Sequence, residues 1–106
     1  ILIYRLVYNL VENAIKYNHS DGQVIVTAER KEKHVHLSVE DTGNGIPKEL
    51  KERVFEPFFR VDKSRSRELG GVGLGLALVH EIVRTHDGSI TVRDNPSGGT
   101  IFEVVF

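Results

Sequence analysis

Hydrophobic positions recur at helical spacing in two separate parts of the chain. In residues 2–18 they return every three or four positions, which places most of them on one side of a predicted helix. A second run of this kind begins at Leu74, and the pair Asp87-Gly88 that follows it is typical of a helix end. The pattern therefore predicts two amphipathic helices.

Four other segments alternate between apolar and polar residues, which predicts strands. The first two follow each other closely and form a hairpin, and the last two flank the turn at residues 95–99. These strands are residues 23–30, 33–41, 89–94 and 100–106. Helices on one face of a mixed, mainly antiparallel sheet would bury both apolar stripes. We therefore predict an α/β (α+β) two-layer sandwich.

The middle of the chain has weaker patterns. Pro47 is expected to open a short helix that continues to about Val54, because proline is favoured at the first helical position. Residues 56–73 follow no steady period and are rich in charge and glycine, which predicts an irregular loop.

Composition narrows the class of protein. The chain has 106 residues, enough for a single domain spanning residues 1–106, with 40% hydrophobic and 27% charged residues. Its net charge of −1 predicts no nucleic-acid partner and no direct membrane contact. No apolar run approaches the roughly 20 residues that span a bilayer. Since the chain has no cysteine, disulfides and thiolate metal sites are excluded.

The first predicted helix carries a polar stripe at helical spacing. Its members are Arg5, Asn9, Glu12, Asn13 and Lys16. The stripe could be an ordinary solvated face, but asparagine is a poor residue for a helix interior. Amide oxygens, a carboxylate and an ammonium group also suit a hydrated Mg²⁺ ion with attached phosphates. The two asparagines favour this second interpretation.

Asp41 is in phase with the apolar face of the strand that it ends. Val35, Leu37 and Val39 share that face, so the carboxylate is expected to point inward. An unpaired buried charge is costly, so Asp41 needs a partner. It could cap the following turn as an Asx residue, or accept a hydrogen bond from the amine of a buried ligand. The glycines and the proline that follow favour the ligand.

Residues 70–76 are rich in glycine and run directly into the second predicted helix. Such a segment could bring backbone N–H groups and a helix N-terminus to an anion, or could serve as a plain hinge. No strand precedes it, so it is not a dinucleotide-binding fingerprint, and no Gly-Lys-Ser/Thr follows as in a P-loop. The five histidines fall at turns, on outward strand positions or within the second helix, and we expect them to be structural or surface residues.

Five motifs in one order resemble those of the catalytic ATP-binding domain of sensor histidine kinases, a Bergerat-fold (GHKL) family. Residues 9–17 resemble the N box, residues 41–47 and 70–76 the two glycine boxes, and residues 55–60 the phenylalanine box; Gly98-Gly99-Thr100 resembles the closing motif. The resemblance covers essentially the whole chain. It implies the ATP-binding fold that gyrase, heat-shock chaperone and mismatch-repair ATPases share.

The resemblance also implies a role for individual residues. Asn13 would coordinate Mg²⁺, with Asn9 supporting the metal and the phosphates. Asp41 would accept a hydrogen bond from the adenine amino group, helped by Thr100 and water. Residues 56–73 would form the ATP lid. The other residues implied to contact ATP are Lys16, Tyr17, Gly43, Gly45, Ile46, Arg60, Gly71, Gly73, Leu74 and Gly75.

One position separates the kinases from the related ATPases. The ATPases carry a glutamate four residues before the metal asparagine, whereas this chain has Asn9, which cannot act as a general base. In the kinases Glu12 corresponds to a proposed base toward the acceptor histidine. The resemblance thus implies phosphoryl transfer from ATP to a histidine on a separate dimerisation domain of the same kinase, with a response regulator downstream. It also implies the cytoplasmic portion of a membrane-bound sensor kinase.

Two departures from the family pattern stand out. Val72 lies where many members have threonine, which removes one hydroxyl near the phosphates. The chain also begins inside the first helix, without the usual preceding strand or the dimerisation helices. Two alternatives stay open: a related serine kinase of the anti-sigma-factor type, and a nucleotide-binding module without catalysis.

Overall fold

The computed structural model describes residues 2–57, 59 and 75–106. Both predicted amphipathic helices and all four predicted strands are present. The helices are α1 (Leu2–Lys16) and α2 (Gly75–Thr85). The strands are β1 (Val24–Lys31), β2 (His34–Asp41), β3 (Ser89–Asp94) and β4 (Thr100–Val105).

The four strands form one sheet in the order β1-β2-β4-β3, and every pairing among them is antiparallel. The β1–β2 hairpin closes through Glu32 and Lys33, with Lys31 paired to His34. Glu32 has a φ of 56°, as such a tight turn requires. At the other end of β2, Asp41 lies opposite Val24. The predicted, mainly antiparallel sheet is confirmed.

Both helices pack on one face of the sheet and enclose a single apolar core. The residues that are almost completely buried there are Leu6 and Leu10 of α1, Val79 of α2, and Phe102 and Val104 of β4. The opposite face of the sheet is mostly polar, although Ile25 and Ile101 also lie on it. The two-layer sandwich is therefore confirmed, since each amphipathic element hides its apolar side against the other layer.

Local geometry explains where α2 ends. Asp87 adopts a φ of 56°, and the N–H group of Gly88 donates to the carbonyl oxygen of Val83 at 2.9 Å. This reversal satisfies a helix-end carbonyl that would otherwise lack a partner.

The segment after Pro47 differs from the predicted continuous helix. It forms two 3₁₀ turns, Lys48–Leu50 and Arg53–Phe55, neither of which has a side-chain cap. A segment this short has too few hydrogen bonds to offset helix nucleation, so isolated turns result.

Candidate nucleotide-binding site

Asp41 lies at the end of β2 and is buried, with 6% of its surface exposed. Its Oδ1 atom accepts hydrogen bonds from the backbone N–H groups of Gly43 at 3.0 Å and Thr100 at 3.2 Å. No described residue donates to the other carboxylate oxygen, Oδ2. The side chain is thus held by the backbone through one oxygen and keeps the second oxygen as an acceptor.

Burial raises the pKa of the Asp41 carboxyl above its ordinary value, because the charged form loses solvation. The two backbone N–H groups act in the opposite direction, since they stabilise the carboxylate. The prediction that Asp41 faces inward is confirmed, and the Asx-type bond to Gly43 is also present. The two interpretations of this residue are compatible, because each can use a different oxygen.

The glycines before Thr100 allow the close approach of β4 to Asp41. A Cβ atom on Gly99 would lie 2.1 Å from the Asp41 carbonyl oxygen and 2.7 Å from Oδ1, and its φ is 98°. Gly98 has a similar φ of 96°, but a Cβ atom there would meet nothing within 4 Å. Gly99 is therefore required by both conformation and space, and Gly98 by conformation alone.

Sequence reasoning missed Asn95, which contacts the same region. We call this region the Asp41 corner, and it consists of Asp41, Gly43, Gly99 and Thr100. The Nδ2 group of Asn95 donates to the carbonyl oxygen of Asp41 at 3.0 Å, while its Oδ1 atom accepts from the N–H group of Ser97 at 3.2 Å. The sequence does contain a signal for this contact, because an asparagine before Pro-Ser-Gly-Gly is typical of a turn that is capped by a side chain.

The first glycine motif packs against the end of α1. A Cβ atom on Gly43 would lie 2.3 Å from the carbonyl oxygen of Tyr17, so the close approach is to the protein's own backbone. Gly45 has a φ of 76°, which favours glycine. Half-buried Ile46 packs against the apolar core.

Lys51, another residue that sequence reasoning missed, ties this loop to the sheet. Its Nζ atom donates to the Ile46 carbonyl oxygen at 2.9 Å and lies 2.9 Å from a carboxylate oxygen of Asp94. With 17% of its side chain exposed, Lys51 connects the loop to the end of β3. A periodicity argument could not find this contact, because it joins segments far apart in sequence.

The polar residues of α1 flank the buried stripe, and Asn9 shows how one of them is oriented. Its Nδ2 group donates to the Arg5 carbonyl oxygen at 2.7 Å, which leaves Oδ1 as a free acceptor among the described groups. A Cβ atom on Gly75, the first residue of α2, would lie 3.1 Å from that oxygen. The lack of a side chain at Gly75 therefore lets the start of α2 approach Asn9 closely.

The remaining predicted residues of α1 are also placed by the structure. Half-buried Asn13 has no side-chain hydrogen bond to any described residue, so both of its polar atoms are available. The carboxylate of Glu12 lies 3.6 Å from the ammonium group of Lys16 and accepts a hydrogen bond from the Tyr8 hydroxyl at 3.2 Å. Tyr17 follows at the helix end, where its backbone meets Gly43.

These contacts link the two groups of predicted site residues. The end of α1 is joined to the Asp41 loop through Tyr17 and Gly43, and α1 meets the start of α2 at Asn9. The predicted lid, residues 56–73, lies outside the described residues except for 56, 57 and 59. Arg60, Gly71, Gly73 and Leu74 also lie outside the described residues.

Two aromatic residues of the phenylalanine motif are described. The Phe55 ring lies edge-on to Phe102 in the core, with 6.1 Å between the ring centroids, and 5.5 Å from the His80 ring. Phe59 lies under the guanidinium group of Arg53 at 4.5 Å. His80 thus packs on an aromatic ring, in agreement with the structural role predicted for it.

The sequence matches one protein family over residues 1–106, described as histidine kinase-, DNA gyrase B-, and HSP90-like ATPase. The chain belongs to this family. It is 43% identical to the sensor protein CiaH of Streptococcus pneumoniae over 104 residues, which is 98% of this chain and 23% of CiaH. It thus spans about a quarter of the length of the curated relatives that it matches.

Solved structures place the similarity in the catalytic domain of histidine kinases. The mycobacterial sensor histidine kinase MprB has a TM-score of 0.84 and 36% identity, covering 96% of this chain and 69% of that one. The catalytic domain of histidine kinase ThkA also has a TM-score of 0.84, with 32% identity, 99% of this chain and 65% of that one. This chain therefore corresponds to the catalytic ATPase part of its sensor-kinase relatives. No described helix is long and apolar enough to cross a membrane.

Proposed function

We propose that this domain binds Mg-ATP between the Asp41 corner and α1, and transfers the γ-phosphoryl group to a histidine on a separate dimerisation domain in two-component signalling. The observation that carries the proposal is the buried Asp41 carboxylate. The backbone holds one of its oxygens, and no described residue donates to the other. A buried acceptor of this kind suits the amino group of a purine.

The Asp41 corner would hold the adenine end of the nucleotide. Oδ2 of Asp41 would accept from the adenine amino group, and Thr100 would line the same buried place. Ile46 would provide apolar contact to the base, while Lys51 holds its carbonyl group in place. A histidine kinase that resembles this chain, ShkA, has been solved in complex with AMPPNP; it has 30% identity and a TM-score of 0.82, covering 98% of this chain and 21% of that one.

The polar residues of α1 fit the phosphate end and the metal. Mg²⁺ prefers oxygen ligands and keeps several waters, so it needs few protein groups. No described residue donates to the side-chain oxygen of Asn13. Asn9 also keeps Oδ1 available among the described groups, because its amide nitrogen is bonded to the Arg5 carbonyl oxygen. When bound, Mg²⁺ would neutralise charge on the phosphates. Lys16 would contribute a further positive charge from the same helix, and Gly71, Gly73, Gly75, Leu74 and Arg60 would complete the phosphate side.

The acceptor side would depend on Glu12. Its carboxylate is partly exposed, so an imidazole of another domain can reach it. Glu12 would hold the proton on one ring nitrogen of the imidazole while the other, unprotonated nitrogen attacks the γ-phosphorus. The bond between that phosphorus and ADP would break, and ADP would leave with its electron pair. Asn9 offers no base for water, so hydrolysis should be slow.

Partners follow from the same proposal. The first partner is a histidine-bearing dimerisation domain of the same kinase, and the second is a downstream response regulator. Histidine kinase ThkA has been solved in complex with the response regulator protein TrrA; it shares 31% identity with this chain at a TM-score of 0.78, covering 98% of this chain and 28% of that one. We propose a cytoplasmic location, as part of a membrane-bound sensor.

Incubation with labelled ATP tests the proposal. The chain alone should bind ATP but neither label itself nor release phosphate rapidly, because phosphoryl transfer requires both partners to be held in line. Adding a separate histidine-bearing dimerisation domain should produce label that is stable to base and labile to acid, as phosphohistidine is.

The same experiment has a matched control and clear contrary outcomes. An acceptor domain with histidine replaced by glutamine should take no label. Label on a serine of the partner would indicate a serine kinase instead. Binding of ATP without transfer to any acceptor would indicate a regulatory nucleotide-binding module.

A further inference from the structure

The outward side of α1 carries a row of three polar groups that contact each other. Tyr8 donates its hydroxyl hydrogen to Oε2 of Glu12 at 3.2 Å. Lys16 approaches the other oxygen of the same carboxylate, Oε1, at 3.6 Å. The three residues are spaced by four, so they lie along one side of the helix. Glu12 is thus held at both oxygens.

We propose that Tyr8 is a positioning residue for Glu12. In the proposed function, Glu12 is the carboxylate that interacts with the acceptor histidine. This inference rests on the proposed function. The hydroxyl would restrict the Glu12 side chain to the rotamers that keep Oε2 beside Tyr8 and Oε1 beside Lys16. A carboxylate that is already oriented loses less conformational freedom when the acceptor imidazole arrives.

The surroundings of the pair support a role toward an incoming group. Tyr8, Glu12 and Lys16 lie along an open groove on the outward side of α1, and all of its described lining residues belong to this helix. Its other described lining residues are apolar or aromatic: Tyr4, Val7, Val11 and Ile15. Because this groove is open and the Glu12 side chain is partly exposed, an incoming side chain of another domain can reach the carboxylate.

A purely structural role for Tyr8 is less well supported. Its side chain remains exposed, and the tilted contact with the Tyr4 ring, 6.2 Å between centroids, lies outside the core. The hydrogen bond to Glu12 raises the pKa of the Tyr8 hydroxyl. A tyrosine hydroxyl is protonated at neutral pH in any case, so it remains a donor to Glu12.

The test compares Tyr8→Phe with Tyr4→Phe in the transfer assay with a histidine-bearing dimerisation domain. Tyr8→Phe should lower the transfer rate at saturating ATP about three- to tenfold, the range expected for one hydrogen bond, while leaving ATP affinity unchanged. Tyr4→Phe removes a hydroxyl with no hydrogen bond to a described residue, from the same side of the helix, and should behave as wild type. Loss of rate without loss of affinity is not expected from a merely structural change.

Glu12→Gln separates this inference from the proposed function. If Glu12→Gln abolishes transfer while Tyr8→Phe equals wild type, Tyr8 does not position Glu12, and the proposed function stands. If Glu12→Gln transfers normally, both the role of Glu12 and that of Tyr8 are wrong. An additive result, in which Tyr8→Phe slows transfer equally in the Glu12→Gln background, would also overturn the inference, because the two residues would act independently.

Discussion

The Asp41 corner and the polar side of α1 differ in how firmly the protein holds them. At the corner, two backbone N–H groups, the Asn95 amide and the tight approach of Gly99 all converge on one buried residue. On α1, the polar groups are partly exposed, and their hydrogen bonds and ion pair are to neighbours within the same helix.

This difference teaches how the two ends of a nucleotide would be recognised. A base offers a fixed pattern of donors, so a rigid acceptor whose geometry is set in advance can select it. Phosphates and a hydrated metal bring their own charge and water, so adjustable side chains suffice. Substitutions of residues that contact Asp41 should therefore affect folding and binding together, whereas those of the polar side chains of α1 should leave folding largely unchanged.

The largest effect should come from Gly99→Ala. The new Cβ atom would overlap Asp41 and the backbone would be strained, which should lower the free energy of unfolding by roughly 2–5 kcal/mol and abolish ADP binding. Gly98→Ala is the matched control, because it shares the positive φ but has open space. It should cost roughly 1–2 kcal/mol and leave ADP affinity intact. Urea denaturation and calorimetry would measure both; equal losses in the two variants would contradict the steric account.

Asp41→Asn should weaken ADP binding tenfold to over a hundredfold, because an amide can turn a donor toward the adenine amine. The estimate corresponds to about 1.5–3 kcal/mol for a charge-assisted bond. Glu40→Gln removes one charge from the preceding residue, which faces the other side of the sheet, and should leave the affinity unchanged. Calorimetric titration with ADP would measure both affinities. An unchanged affinity in Asp41→Asn would exclude the adenine role of Asp41.

Asn13→Ala should remove most of the effect of Mg²⁺ on ATP binding, about tenfold, while sparing affinity measured without the metal. The adenine corner remains intact, so only the metal-dependent part is lost. Ile15→Ala, an exposed position on the same helix, serves as the control. ATP titrations with and without Mg²⁺ would measure this loss. A variant that keeps the full effect of magnesium on ATP affinity would refute the metal role of Asn13.

The smallest effect concerns pH and stability without ligand. Burial raises the pKa of Asp41 in the folded state above the ordinary value of 3.8. At pH values between the two, the folded state therefore holds a proton that the unfolded state has lost. Wild-type stability due to this group is thus fully present below 3.8 and declines as pH rises through the raised pKa. Asp41→Asn has no such decline, so its stability relative to wild type should increase with pH across that window. Urea denaturation at several pH values tests the sign, and a constant or falling difference would contradict it.

The two helices, the four strands and the inward side of Asp41 could be predicted from the sequence, whereas the roles of the site residues stay predictions. The apolar stripes of α1 and α2 predicted their packing, because only one arrangement in two layers buries both. The phase of Asp41 with Leu37 and Val39 correctly predicted an inward carboxylate, since side chains alternate strictly along a strand. Local rules of this kind depend on near neighbours, which the sequence contains.

The contacts that give these residues their properties were decided by the tertiary structure. Asn95 and Lys51 reach partners many positions away, and no periodicity indicates such a pairing. The same holds for Gly43, whose lack of a side chain is required by the backbone of Tyr17. The sequence thus determined which groups are present and which side of each element they lie on. Distance and burial, and with them the raised pKa of Asp41, arise only when β2, β4 and α1 pack together, because desolvation depends on atoms from all three.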